Sequence, residues 1–242
     1  MLVRVGNTEA EIKVAAVMSV PRLGFTDNFF CVASALTPHG ISPTKVTGAY
    51  WGQSLQMAIE SAIDGADWIL TIDYDTVFNA KTVEALMTLA LYSGADAIAP
   101  LQVKREANAV MFAPHGKKPE ETTEVQDDWF GKPVQWVETA HFGLTFIRAS
   151  ALLKTPRPWF VETANDKGTF TGGHMDADIH FWKQFHKAGY KLGLATHVSV
   201  GHAELMVTWP SRLNEEGKVL QHTTDYWKNG QKAPEKAWGQ VR

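Results

Sequence analysis

Two carboxylates, Asp73 and Asp75, follow directly on an apolar run that begins at Trp68. Such a run predicts a buried strand, and in open α/β sheets ligands bind outside the carboxyl ends of the strands. Because strand side chains alternate between two faces, we expect both acids to point to the same side and to share one hard cation. A cation there would bind phosphates. The same spacing also occurs where acids cap a helix or lie in a solvated loop, and both roles stay open for the pair taken alone.

The elements that must position these acids alternate between strand and helix along the N-terminal half. Strand patterns cover 12–20, 44–47, 68–73 and 95–100, and amphipathic helical patterns cover 29–36, 55–63 and 79–92. Such alternation is typical of a parallel sheet with helical crossovers. Strand character returns over 136–147, and helical character over 174–187. The sequence therefore predicts a Rossmann-like α/β fold with the acids at one edge of its sheet.

Composition excludes several classes of protein. The chain has 242 residues, of which 45% are hydrophobic, which is enough for a substantial core. A net charge of -3 gives no basic field for general nucleic-acid binding. Cys31 is the only cysteine, so neither an intrachain disulfide nor a zinc site built on several thiolates can form.

Several familiar sequence signals are also missing. The first predicted strand is not followed by a Gly-x-Gly-x-x-Gly fingerprint, and no Walker-type lysine loop occurs, which argues against nicotinamide and P-loop enzymes. The N-terminus has no apolar core of signal length, and no stretch approaches the ~20 apolar residues that span a bilayer. We therefore expect a cytoplasmic protein without a membrane span.

Four segments, in this order, resemble the GT-A glycosyltransferases of the family 2-like type found in bacteria and phages. The first runs from the helical Gln-Ser-Leu-Gln-Met-Ala-Ile-Glu at 53–60 through Gly-Ala-Asp at 65–67 to Asp-Tyr-Asp at 73–75. The second is the strand at 136–148, which ends in Ile-Arg. The third is Met-Asp-Ala-Asp at 175–178 with Ala-Gly-Tyr at 188–190. The fourth is Val-Ser-Val-Gly-His at 198–202.

The resemblance implies a GT-A fold, an α/β architecture in which a mixed, mainly parallel sheet is flanked by helices. It covers most of 1–204, which we expect to be the glycosyltransferase domain, with 205–242 as a C-terminal extension that packs on it. It also implies transfer of a sugar from a nucleotide-diphosphate donor to an acceptor hydroxyl of unknown class, with inversion at the anomeric carbon.

The family pattern implies a divalent cation held by Asp73, Asp75 and His202. Asp73 would contact it through water or bind the ribose instead. Oxygen ligands with one imidazole suit manganese, with magnesium as the alternative. A histidine that follows a strand is otherwise a hydrogen-bonded core or surface residue, and this role stays open for His202.

Further site residues follow from the same resemblance. Asp176 matches the acid that commonly acts as catalytic base, although a helix-capping role is its alternative; for Asp178 we expect N-capping of the helix. Arg22, Gln53 and His141 are expected to contact the donor, with an ordinary surface role as the alternative for Arg22. Gln53 and His141 depart from the family pattern, which more often has Arg and a small residue at these places.

Other departures concern the nucleotide and the chemistry. Met175 stands where Glu is usual, and the strand at 44–47 does not end in the acid with which many relatives read the base. A sugar nucleotidyltransferase and a catalytically inactive nucleotide-binding protein of the same fold therefore remain as alternatives. The first lacks support from the sequence, because no glycine-rich basic loop follows the first predicted strand.

Overall fold

A computed structural model describes residues 2–5, 8–21, 24–104, 110–114, 130–213, 215–216 and 219–225. The strands are β1 (Leu2–Val5), β2 (Thr8–Glu11), β3 (Val14–Val20), β4 (Pro43–Thr47), β5 (Trp68–Asp73), β6 (Thr76–Val77), β7 (Ala97–Leu101), β8 (Phe112–Pro114), β9 (Val134–Ala140), β10 (Leu144–Arg148), β11 (Leu192–Ser199), β12 (Gly201–His202), β13 (Met206–Leu213) and β14 (Val219–Asp225). The α-helices are α1 (Thr26–Leu36), α2 (Trp51–Ala62), α3 (Ala80–Ser93), α4 (Ala149–Lys154) and α5 (Ala177–Lys187).

Eight strands form the central sheet in the order β4-β3-β5-β10-β7-β11-β9-β8. β3 runs parallel to β4 and β5, and β7 runs parallel to β11. β10 is antiparallel to both β5 and β7, so these two strands share one direction. β9 is antiparallel to β11 and to β8. Six of the eight strands therefore run the same way, and β3, β4, β5, β7 and β11 end at one edge of the sheet.

Helices cover both faces of this sheet because the strand side chains alternate between two apolar layers. On β5, Leu70 and Ile72 pack with α1 and α3, while Ile69 packs with α2, α4 and α5. α3 begins at a capping box, in which the Asn79 side chain accepts the amide N–H of Thr82. The sheet edge is thereby held rigidly between the two layers.

The predicted alternation of strand and helix is confirmed, with two corrections and one addition. The strand expected over 136–147 is two strands, because His141 to Gly143 turn the chain between β9 and β10. The helix expected from residue 174 begins at Ala177, since the preceding residues bridge to Thr163 instead. The N-terminus, for which no element was predicted either way, forms the β1–β2 hairpin and so adds an element ahead of the first predicted strand.

The expected C-terminal extension contains a second hairpin, β13–β14. Residues 226–242 lie outside the described part of the chain, and the packing of the extension on the domain stays a prediction. Among the described residues, none of the helices combines the length and apolar character needed to cross a bilayer.

Candidate active site

Asp75 and His202 meet at the edge where the parallel strands end. After β5 the chain turns through Tyr74 and Asp75 into β6, and after β11 it continues into β12. β6 and β12 pair antiparallel, with His202 opposite Thr76. The Ala203 amide also donates to the Asp75 carbonyl at 2.7 Å. The pairing places Nε2 of His202 3.4 Å from Oδ2 of Asp75.

The hydrogen bonding of His202 determines which nitrogen faces the acid. Nδ1 lies 2.9 Å from the Val103 carbonyl, which can only accept, so Nδ1 carries a proton. Nε2 is therefore the nitrogen directed at Asp75. The two side chains are 11% and 5% exposed, so water screens little of their interaction.

The turn that carries Asp75 is fastened by Asn28 of α1. The Asn28 side-chain amide donates to the carbonyl of Asp73 at 3.0 Å and to that of Thr76 at 2.7 Å. Asn28 is 3% exposed, so both bonds are protected from water. Strand alternation, which we expected to align the two acids, does not apply, because β5 ends at Asp73. The turn and Asn28 position Asp75 instead.

Asp73 is held by the indole of Trp51, which begins α2. Trp51 Nε1 donates to Oδ1 of Asp73 at 2.9 Å. Burial raises the pKa of Asp73 from 3.8 to about 6, the Trp51 hydrogen bond opposes this rise, and the charge of Asp75 adds to it. The indole packs edge to face on Phe142 and Phe160, so an aromatic cluster fixes the donor.

His141 lies in the core beneath the site, where both ring nitrogens bond the protein. Nδ1 accepts the Gly143 amide at 3.0 Å, and Nε2 donates to the Pro100 carbonyl at 2.9 Å. Burial lowers the pKa of His141 to about 4, so the ring is neutral. The Gly143 carbonyl accepts the amide of Asp73. Both ring nitrogens of His141 thus hold the backbone behind Asp73, while its ring lines the smaller cavity described below, and the expected contact with the donor stays a prediction.

Gly143 sits where a side chain would collide with this network. A Cβ there would lie 2.6 Å from Oγ1 of Thr76 and 2.9 Å from Nδ1 of His141. Gln102, also buried, extends the network, with its amide 3.4 Å from the Gly201 carbonyl of β12. The backbone behind both acids and His202 is therefore tied together.

Two cavities adjoin the end of β5 and the turn that follows it, one lined in part by Tyr74 and the other by Asp73. One, of about 670 Å³, runs between α1 and the ends of β3 and β4 and includes Tyr74. The other, of about 290 Å³, lies between β5 and α5 and includes Asp73. Tyr74 stacks on Phe25 with ring centroids 6.1 Å apart. Further lining residues of the smaller cavity are Trp51, Met111, His141, Phe142, Glu162, Asp176, Ala177 and Asp178.

Asp176 and Asp178 stand on the far wall of the smaller cavity. Asp176 occupies the N-cap position of α5, but its side chain makes no capping bond, and Oδ1 lies 2.8 Å from Nε2 of His174. Asp178, expected to be the N-cap, lies in the first turn and accepts the Ile179 amide at 2.7 Å. Burial raises the pKa of Asp178 to about 6. The capping expectation is corrected, since Asp176 holds that position and bonds a histidine.

For the two remaining predicted site residues, Gln53 and Arg22, the described part of the structure gives no contact with the candidate site. Gln53 lies exposed on α2 and is not among the residues that line the two cavities. Arg22 lies outside the described residues. Sequence reasoning missed Asn28 and Trp51. A polar residue within the apolar pattern of α1 was the available signal for Asn28, whereas the sequence offers none that pairs Trp51 with Asp73.

Comparison with known proteins gives agreement in fold alone. No protein-family model matches the chain, and no curated protein matches it. The crystal structure of A197 from STIV superposes with a TM-score of 0.52 at 15% identity, covering 85% of this chain and 93% of that one. The crystal structure of GalNAc-T7 with UDP, GalNAc and Mn²⁺ gives a TM-score of 0.52 at 12% identity.

The match to GalNAc-T7 covers 79% of this chain and 44% of that one, so the chain spans less than half of that neighbour. The sheet order, the flanking helices and these neighbours agree on a GT-A fold. The expected fold class is confirmed.

Proposed function

We propose that the protein is a metal-dependent glycosyltransferase that moves a sugar from a nucleotide-diphosphate donor to an acceptor hydroxyl. One observation carries this proposal: Asp75 and His202 lie 3.4 Å apart at a turn whose residues Tyr74 and Asp73 line two separate cavities. In a nucleotide sugar the diphosphate lies between the nucleoside and the sugar. A diphosphate at the turn would therefore leave one cavity for the nucleoside and the other for the sugar. The GT-A fold and the UDP and Mn²⁺ of the GalNAc-T7 structure support the same donor class.

The donor would lie across the turn. Its nucleoside occupies the larger cavity beside Tyr74 and Phe25, and its sugar occupies the smaller one beside Asp73. The volumes of the two cavities are close to the range of small-ligand pockets, which measure roughly 300–1,000 Å³. Arg22 follows β3 by two residues in the sequence and is proposed to contact the phosphates or the base. Gln53 is exposed, and its expected contact with the nucleotide has no support from the lining of the two cavities.

The residues at the turn fit a divalent cation. Two ligands about 2.1–2.2 Å from one ion, at right angles or somewhat wider, are about 3.0–3.5 Å apart. Asp75 and His202 are separated by 3.4 Å, and the Val103 carbonyl orients the imidazole as metal-bound histidines require. Within the described residues, no three His, Cys, Asp or Glu side chains form a closed metal cluster. Phosphate oxygens and water would complete the coordination of an ion at these two ligands, with Asp73 contacting the ion through water.

Manganese is the proposed ion, with magnesium as the alternative, because the donors are a carboxylate and an imidazole without a thiolate. When bound, the cation supplies Lewis-acid stabilisation of the charge that develops on the departing diphosphate. The roles of Asp73, Trp51 and Asn28 are to hold the turn and the sugar cavity in place around it.

Asp176 is the proposed catalytic base. The acceptor oxygen forms a bond to the anomeric carbon, the bond from that carbon to the diphosphate oxygen breaks, and the acceptor proton passes to the Asp176 carboxylate. Attack from the side opposite the leaving group inverts the anomeric centre. His174 orients the carboxylate through its 2.8 Å contact. A base of this kind contributes roughly 10² to 10⁴ in rate.

The test is a thermal-shift screen of nucleotide sugars with Mn²⁺, followed by product analysis. The proposal predicts a rise in melting temperature with one donor class only when Mn²⁺ is present. Transfer or hydrolysis must then release a nucleoside diphosphate. A separate incubation with a nucleoside triphosphate and a sugar phosphate tests the alternative, since formation of a nucleotide sugar with release of pyrophosphate would identify a nucleotidyltransferase. Donor binding without turnover over many acceptors would identify an inactive binding protein.

A further inference from the structure

The loop before α5 presents an exposed aromatic ring beside the proposed base. The Phe170 side chain is 57% exposed and makes an edge contact with His174, with ring centroids 6.1 Å apart. His174 in turn bonds Asp176. Phe170 is therefore linked to Asp176 through His174, and the Asp176 carboxylate lines the smaller cavity.

Hydrogen bonds within this loop hold the ring in place. Thr163 and Met175 bridge its base through two backbone bonds of 2.9 Å. Oδ1 of Asn165 accepts the amides of Lys167 and Thr169 at 3.0 Å, and its Nδ2 donates to the Gly172 carbonyl at 2.8 Å. These hydrogen bonds hold the loop in one conformation. A ligand that binds Phe170 would therefore cause little loss of conformational entropy in the loop.

The surroundings of Phe170 indicate what it binds. The residues from Asp166 to Gly173 are exposed, and apart from Phe170 they are polar or glycine. A single ring in a polar loop does not form the contiguous apolar patch that lipid or hydrophobic protein surfaces require. An aromatic face next to carboxylates suits a saccharide, whose ring C–H bonds pack on the negative π-face while its hydroxyls donate to carboxylates. Glu162 and Asp176 supply such carboxylates on the cavity wall.

We infer that the acceptor is a carbohydrate whose sugar ring stacks on Phe170 while its attacking hydroxyl lies at Asp176. This inference rests on the proposed function and adds the class of the acceptor. Phe170 is a specificity-determining residue, since it contacts the acceptor ring and takes no part in the transfer of the proton.

The test uses an array of immobilised glycans, probed with the full-length protein in Mn²⁺ and the nucleoside diphosphate that the donor screen identifies. We expect a glycan that binds the wild type and Phe170→Trp, with at least tenfold weaker binding by Phe170→Ala. Tyr92→Ala is the control, because Tyr92 is an aromatic residue that is even more exposed than Phe170 and lies near the end of α3, away from the loop that carries Phe170. It should bind as the wild type does.

Equal binding by the wild type and Phe170→Ala, or binding of no glycan, overturns the inference. Donor binding and donor hydrolysis are measured on the same variants and should not change, because neither involves Phe170. If the wild type shows Mn²⁺-dependent donor binding and transfers the sugar to a peptide or lipid only, the acceptor class is wrong and the proposed function stands. If the wild type binds no nucleotide, the proposed function itself fails and the inference falls with it.

Discussion

His202 Nε2 lies 3.4 Å from Asp75 Oδ2, although the two residues follow different strands of the central sheet. The short β6–β12 pairing produces this proximity, and the Val103 carbonyl fixes the orientation of the imidazole. Because the two groups come from distant segments, their proximity requires the whole sheet to be assembled. The site therefore depends on the fold and on a small number of side chains that hold the turn.

Asn28→Ala should weaken Mn²⁺-dependent binding of a nucleoside diphosphate, because it removes both donors that fasten the turn around Asp75. It should also lower the free energy of unfolding by about 1–3 kcal/mol, the cost of leaving buried carbonyls unpaired. Titration calorimetry with Mn²⁺ and the nucleoside diphosphate that the donor screen identifies, together with chemical denaturation, measures the two effects.

Asn79→Ala is the control for this experiment, since it loses the α3 cap at a cost of about 1 kcal/mol and leaves the Asn28 bonds in place. It should keep wild-type affinity for the nucleotide. Equal losses of affinity in the two variants would mean that binding follows general stability and that Asn28 has no specific role.

Asp176→Asn should preserve donor binding and reduce transfer by roughly 10² to 10⁴, because an amide cannot accept the acceptor proton. Steady-state kinetics and nucleotide titration give the two readouts. Asp178→Asn is the comparison, since both acids line the same cavity. If Asp178→Asn loses transfer while Asp176→Asn keeps wild-type turnover, the base is Asp178.

His141 should make the protein less stable as the pH falls from 6.5 to about 4. Burial lowers its pKa from 6.5 to about 4, so between these values the unfolded chain binds a proton that the folded one does not. The free energy of unfolding therefore decreases as the pH falls, by at most about 3 kcal/mol for this residue. Asp73 and Asp178, whose pKa values burial raises to about 6, act in the opposite sense, with stability falling as the pH rises from 3.8 to 6.

Comparing the wild type with His141→Gln isolates the contribution of His141 to the pH dependence of stability. Glutamine does not titrate, and both proteins retain Asp73 and Asp178. Denaturation curves at several pH values should show the wild type losing stability more steeply than the variant below pH 6.5. Parallel pH dependences would mean that His141 takes up its proton over the same pH range in the folded and unfolded states, so that burial does not lower its pKa.

Much of the fold could be predicted because its signals are local. The apolar run of β5, the stripe of α2 and the cap of α3 each give a period or a boundary within one element. The boundary between β9 and β10 was missed because the turn between these strands depends on Gly143 fitting against Thr76 and His141. That contact involves residues distant in sequence, which periodicity cannot detect.

The candidate site could be predicted only in part for the same reason. Asp75 and His202 were predicted from the resemblance to the GT-A order of motifs, and the structure brings them together, while their role in metal binding stays a prediction. Trp51 and Asn28 act through hydrogen bonds to residues on other elements. His141 was predicted from the resemblance as a contact of the donor. In the structure both of its ring nitrogens form hydrogen bonds with backbone groups, which its place in the sequence does not reveal. Burial and partners, which decide these roles, are properties of the folded chain.

The most direct test of the central claim is calorimetric titration of the nucleoside diphosphate that the donor screen identifies, with Mn²⁺ and with a chelator, into the wild type and Asp75→Ala. We predict that the wild type binds only with Mn²⁺ and that Asp75→Ala loses this binding while its far-ultraviolet circular dichroism is unchanged. Wild-type affinity in Asp75→Ala with Mn²⁺ present would contradict the assignment of a cation to Asp75 and His202.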